Sequence, residues 1–160
     1  MIPSTFNKKD FTKAITRKDF AAVTVKMYEA MTKTKVDPAT VNPFTDTNDE
    51  DVLKAYALGI TLGTSETTFT PDMLITREQM ATMLTRGLRK AGINIDIDLD
   101  DVNRFADDYE MHDWGREAIY FMSERDIIKG IGDNRFNSLG NATFEQSLAI
   151  VLRSVNVFEK

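Results

Sequence analysis

Two arginines occupy the same place in two copies of one short motif, Ile15-Thr16-Arg17 and Ile75-Thr76-Arg77. A guanidinium stays charged at any physiological pH and grips a carboxylate through two parallel N–H bonds, which an ammonium does not reproduce. The threonine ahead of each arginine is a favoured helix N-cap residue. Each arginine would then stand where unpaired backbone N–H groups and the positive end of a helix dipole also favour an anion. Arginine is mildly unfavourable in a first helical turn, so its presence twice calls for a reason, either surface ion pairing or anion binding. Other residues fit around such a site. Thr16 and Thr76 would cap first and touch a ligand second. Asp46 and Asp107, each two residues after a phenylalanine, could orient an arginine, bind ligand hydroxyls or cap the turn that follows. Trp114 either packs in the core or half-buried on its helix, or stacks on a sugar ring.

Much other chemistry is excluded. The 160 residues contain no cysteine and one histidine, His112, so thiol nucleophiles, thiolate metal sites and any Ser-His relay not built on His112 are ruled out. No paired carboxylates define a cleft for hydrolysis, and the chain is not expected to be an enzyme or to need a cofactor. Asp96, Asp98, Asp100, Asp101 and Asp107 have the spacing of a calcium loop, but aspartates stand where its glycine and its bidentate glutamate are required, so no metal is expected. His112, among Glu110, Met111 and Asp113, reads as a solvated turn. With 20 basic and 25 acidic side chains the net charge is −5, which opposes nucleic acid and anionic lipid over the surface as a whole. An anionic ligand must therefore be held by a few focused basic groups. No stretch is long and apolar enough for membrane insertion, and Met1-Ile2-Pro3-Ser4 lacks the pattern of a signal peptide.

The elements that position these residues come from internal repetition. Gly63, Phe69, Thr76 and Gln79 recur as Gly130, Phe136, Thr143 and Gln146 at a constant offset of 67, and Ile75-Thr76-Arg77 matches Ile15-Thr16-Arg17 at an offset of 60. Residues 50–59 and 113–126 carry apolar residues at helical spacing. Gly59 and Gly63, then Gly130 and Gly132, break these helices with positive dihedrals, and a loop follows. A second helix starts at Thr16, Thr76 or Thr143, each in a capping-box pattern with Asp19, Gln79 or Gln146. The alternating Ile93-Asn94-Ile95-Asp96-Ile97 segment reads as an extended linker over the core, and Asp37-Pro38 and Asn42-Pro43 mark another connection. The fold class is all-α: tandem helix-loop-helix repeats, with residues 1–41 a partial repeat, 42–104 a second with its linker and 105–160 a third, in one compact domain.

The sequence resembles the S-layer homology family through Phe44-x-Asp46, Ile60 to Gly63, Phe69 to Pro71 and Ile75 to Glu78, a set that recurs over nearly the whole chain. The resemblance implies a pseudo-threefold bundle secreted by bacteria to the cell surface, which anchors an attached protein to secondary cell-wall polysaccharide that is acidic and often pyruvylated. It makes Arg17 and Arg77 the main ligand groups. Three departures stand out. Phe144 replaces the third arginine, Ser138-Leu139-Gly140 replaces a proline-bearing loop, and Phe11 lies only five residues before Thr16 where Phe69 lies seven before Thr76. Repeat 1 also lacks a leading helix, so an apolar face on it could be closed by Met1 to Phe11, by another chain or not at all, and a homo-oligomer is one of these outcomes. The alternative function is a protein-interaction or self-assembly module that has lost glycan binding.

Overall fold

The computed structural model describes residues 9–159. Five helices are present among them: α1 (Arg17–Thr32), α2 (Glu50–Ala57), α3 (Arg77–Lys90), α4 (Asp113–Ser123) and α5 (Phe144–Phe158), with a single 3-10 turn at Asp108–Glu110 before α4. Extended pairing among the described residues is limited to isolated bridges, so the all-α class and the tandem repeat hold.

Three longer helices begin at equivalent threonines, and their starts interlock. The first amide groups of a helix have no partner within it. Here the neighbouring repeat supplies one. Arg17 and Lys18 N–H donate to the carbonyls of Met73 and Pro71, Arg77 and Glu78 to those of Gly140 and Ser138, and Phe144 and Glu145 to those of Lys13 and Phe11. Repeat 1 thus leans on repeat 2, repeat 2 on repeat 3, and repeat 3 on repeat 1, which closes a pseudo-threefold ring. The threonine hydroxyls satisfy the next amide in each helix. Thr76 and Thr143 form the full capping box, with Gln79 and Gln146 returning to the cap backbone. Thr16 does not: the shorter Asp19 side chain accepts instead from the Thr16 hydroxyl and from Lys9.

Below the ring, α1 packs against α3 and α5, while α2 lies on α1 and α4 on α3. Ile15, Ile75, Phe20, Met27, Met80, Leu84, Phe69 and Phe136 form a core with no solvent exposure. The linker after α3 keeps its alternation as a half-buried ladder, with Ile93, Ile95, Ile97 and Leu99 against the core and the residues between them exposed.

Several expectations are corrected. Gly59, Gly63 and Gly132 adopt positive φ, but Gly130 does not. Gly130 is needed for space, since a Cβ there would lie 2.6 Å from the Arg135 carbonyl oxygen. Phe11 is not the counterpart of Phe69 and Phe136. Its carbonyl bonding matches Pro71 and Ser138, its ring is 38% exposed, and it meets Phe144 edge-on. The repeat-1 counterpart of Phe69 is therefore Lys9. The expected open face on repeat 1 is not seen among the described residues: Ala21, Ala22 and Val25 of α1 are buried with α2 packed on that helix, whereas Leu148 and Ala149 of α5 are half-buried and Leu152 is exposed. The proposed cover by Met1 to Phe11 falls mostly on residues outside the described range.

Candidate functional site

At each ring contact a cation sits over an aromatic ring, and at two of them the cation, an arginine, also lines a groove. The Arg17 guanidinium lies 4.8 Å from the Phe69 ring centroid, and its Nε–H donates to the Phe69 carbonyl at 2.9 Å. Arg77 lies 4.5 Å from the Phe136 centroid and donates from Nε to the Phe136 carbonyl at 3.0 Å and from Nη2 to the Lys129 carbonyl at 2.6 Å. Both arginines are buried, at 4% and 8% exposure. Burial lowers the pKa of both, opposed by Asp46 at Arg17 and by Asp107 at Arg77. The third contact keeps the interaction with its partners exchanged. Phe144 occupies the arginine position, Lys9 occupies the phenylalanine position, and the Lys9 ammonium lies 5.5 Å from the Phe144 centroid.

Asp46 and Asp107 organise the loops that carry these phenylalanines. Asp46 accepts from the Phe69 and Thr70 amides at 2.7 to 3.2 Å, and Asp107 from Phe136 and Asn137 at 2.8 and 2.7 Å. The Phe69 amide is the chief cause holding the Asp46 carboxyl below its ordinary value. At Asp107, burial pushes upward but the loop amides and Arg135 outweigh it, and the carboxyl is again lowered. Gly63 belongs to the same knot. It has φ +89, and a Cβ there would sit 2.6 Å from the Thr68 carbonyl oxygen and 2.7 Å from the Phe44 ring.

Two grooves of equivalent position open beside the stapled loops. The first, of about 480 Å³, brings Arg17 and Trp114 together with the Thr61 to Thr64 backbone and with Gln79, Thr82, Met83 and Arg86 of α3. The second, of about 670 Å³, has Arg77, Lys129 and Gly130 facing Glu145, Gln146 and Arg153 of α5. Thr16, Thr76, Asp46 and Asp107 line neither groove. The hydroxyls of the two threonines cap helices, and the two carboxylates hold loops.

Trp114 is 51% exposed at the rim of the first groove, not packed in the core. Its orientation is set from behind. His112 stands at the N-cap position of α4 without a side-chain cap bond; its ring stacks on the indole with centroids 5.3 Å apart, and its Nδ1 lies 2.6 Å from the Glu78 carboxylate, which is itself buried. His112 is thus tied to α3 and not merely solvated. Gly115 lets α4 approach closely, with its Cβ position 3.3 Å from Glu78 Cβ.

Arg86 went unnoticed in the sequence, although its spacing of nine residues after Arg77 recurs as Arg153 after Phe144. Its half-buried guanidinium has no pairing group among the described residues. Burial and the nearby Arg89 both lower its pKa, the pattern of a cation that an added anion would stabilise. The first groove therefore holds two guanidiniums, an amide, hydroxyls and an aromatic face, with no carboxylate in its lining. Among the described residues no cluster of three metal-ligating side chains occurs, including around Asp96 to Asp107.

The profile of the S-layer homology domain matches residues 41–81 and 104–146. A cell surface protein of Thermoanaerobacter kivui is 30% identical over 122 residues, covering 73% of this chain and 16% of that protein. A surface layer protein of Brevibacillus choshinensis is 25% identical over 107 residues, covering 67% of this chain and 9% of that protein. An endoglucanase of Bacillus sp. (strain KSM-635) is 31% identical over 104 residues, covering 65% of this chain and 10% of that protein. The chain spans 16% or less of the length of these relatives.

Proposed function

The chain belongs to the S-layer homology family, and from that premise we propose that it anchors protein to the cell surface by holding acidic cell-wall polysaccharide in the first groove. The observation that carries this reading is the pair Arg17 and Arg86 facing one groove without a carboxylate, beside the half-exposed Trp114. A carboxylate on a sugar, such as that of a pyruvate ketal, would take charge-assisted bonds from Arg86 and from the Nη groups of Arg17, while the ring stacks on the indole. The low local dielectric lets two arginines overcome an unfavourable net charge of −5.

Arg77 has less to give, because two backbone carbonyls already take its N–H groups and Glu145 stands across the second groove. The third contact offers Phe144 instead of an arginine and has its own Lys9–Asp19 ion pair. Thr16, Thr76, Asp46 and Asp107 would support binding by fixing helix starts and loops. The three repeats, 1–41, 42–104 and 105–160, would act as one ligand-binding body. The endoglucanase relative shares only a tenth of its length with this chain, so its name fits an anchoring segment attached to a separate catalytic part.

The test is co-sedimentation with purified bacterial cell-wall sacculi, with and without pyruvylated polymer, across a salt series. Polymer-dependent pelleting that weakens with salt is expected. Arg86→Ala should lower apparent affinity by roughly tenfold or more, the effect of losing a hydrogen bond to a charged group, with an unchanged melting temperature. Full pelleting by an Arg86→Ala, Trp114→Ala double variant would remove the first groove from consideration.

A further inference from the structure

Trp114 is the aromatic wall of the first groove, yet little of its own bonding holds it there. It stands half-exposed in the first turn of α4, and its indole N–H meets no acceptor among the described residues. Its one ring contact among them is the His112 imidazole, stacked with the two planes 20° apart. That imidazole is tethered in turn. Glu78, in the first turn of α3, is 2% exposed and turns both carboxylate oxygens to His112: Oε1 lies 2.6 Å from ring Nδ1, and Oε2 accepts from the backbone N–H at 3.2 Å. An ionised carboxylate only accepts, so Nδ1 carries the shared proton. Packing alone does not ask for a glutamate at this place. The equivalent position on α1 is Lys18, part-exposed and paired with Asp72, and α2 packs on that helix all the same, with no aromatic residue in its first turn. The buried acid accompanies the tryptophan.

We infer that Glu78 and His112 are positioning residues for the first groove, holding the Trp114 indole in the orientation it offers to a sugar ring. The inference rests on the groove reading above. An exposed aromatic side chain that samples several rotamers must be ordered when a ligand stacks on it, and that ordering costs affinity. Here the imidazole takes one face of the indole before any ligand arrives, which leaves the other face for stacking. Glu78 in turn fixes the imidazole at two points, its ring and its backbone, so the ring cannot swing away from the indole. Because Glu78 lies on α3, the helix that also carries Arg86, the aromatic wall and the second guanidinium of the groove are referred to one rigid element.

Near-ultraviolet circular dichroism of the sole tryptophan reads its orientation, and co-sedimentation with sacculi carrying pyruvylated polymer reads the consequence. His112→Asn keeps a favoured N-cap residue but has no ring to stack. It should lose most of the tryptophan band and lower apparent affinity about two- to tenfold, the cost of ordering one side chain on binding. In a Trp114→Ala background the same substitution should cost nothing further. Glu78→Leu, which has no acceptor, should behave like His112→Asn, whereas Glu78→Gln, which keeps a carbonyl oxygen for Nδ1–H, should retain most of the affinity. If Glu78→Leu fails to fold, the cycle between His112 and Trp114 decides. Wild-type affinity in His112→Asn, or an equal loss with and without Trp114, overturns the inference and leaves the groove in place. Wild-type affinity in Trp114→Ala overturns the use of the indole by the groove, and the inference with it.

Discussion

Removing the guanidinium from Arg17 or Arg77 should unfold the ring before it reports on ligand binding. In Arg77→Ala, the buried carbonyl of Phe136 and the partly buried carbonyl of Lys129 lose their donor and the Phe136 ring loses its cation. Hydrogen bonds from a charged donor contribute about 1.5 to 3 kcal/mol each, and a partly desolvated cation–π contact about 0.5 to 2 kcal/mol. These contributions overlap, so the expected loss is about 3 to 5 kcal/mol. Arg17→Ala removes one carbonyl bond and one ring contact, and should cost about 2 to 4 kcal/mol. Arg17→Lys keeps a cation near the ring but has no Nε–H to meet the carbonyl, so it should recover only part of the loss. Urea unfolding followed by circular dichroism measures all three, and the order of destabilisation, Arg77→Ala above Arg17→Ala above Arg17→Lys, is the diagnostic result. Losses below about 0.5 kcal/mol in both alanine variants, the range of an ordinary surface substitution, would refute the staple argument and return both side chains to a purely ligand-facing role.

Three further outcomes are expected. Phe144→Arg places a second cation beside Lys9 and should destabilise by about 1 to 2 kcal/mol; adding Lys9→Phe rebuilds the Arg-over-Phe arrangement and should recover much of that in chemical denaturation. The carboxyls of Asp46 and Asp107 are lowered in the folded state, so their stabilisation is complete above the unfolded aspartate pKa of about 3.9 and is lost as pH falls through the folded values; Asp107→Asn should flatten the acid limb of a stability–pH curve. Trp114 is the sole tryptophan and lines the first groove, so wall polymer should change its fluorescence in the wild type and in Arg77→Lys, but not in Arg86→Ala at the same polymer concentration.

The repeat, the helix starts and the all-α class could be read from the sequence because each is a local property. A threonine followed three residues later by Gln79 or Gln146 specifies a cap wherever it stands, and helical periodicity specifies which face turns inward. Even the half-buried ladder of Ile93 to Leu99 followed from alternation alone. The roles of the chemical residues did not follow. Arg17 and Arg77 look identical as sequence, yet one has a single carbonyl partner and the other two, the second being Lys129 of the neighbouring repeat. Asp46 and Asp107 serve loops more than twenty residues away, a pairing that no nearby spacing announces. Phe144 reads as a lost arginine until Lys9 is found across the ring contact with the partners exchanged. Arg86 emerges only once α3 is seen to form a groove wall opposite Arg17 and Trp114. Caps and periodicity are settled within a few residues of chain, whereas which charge is already bonded and which is left for a ligand depends on what the closed ring of repeats brings beside it.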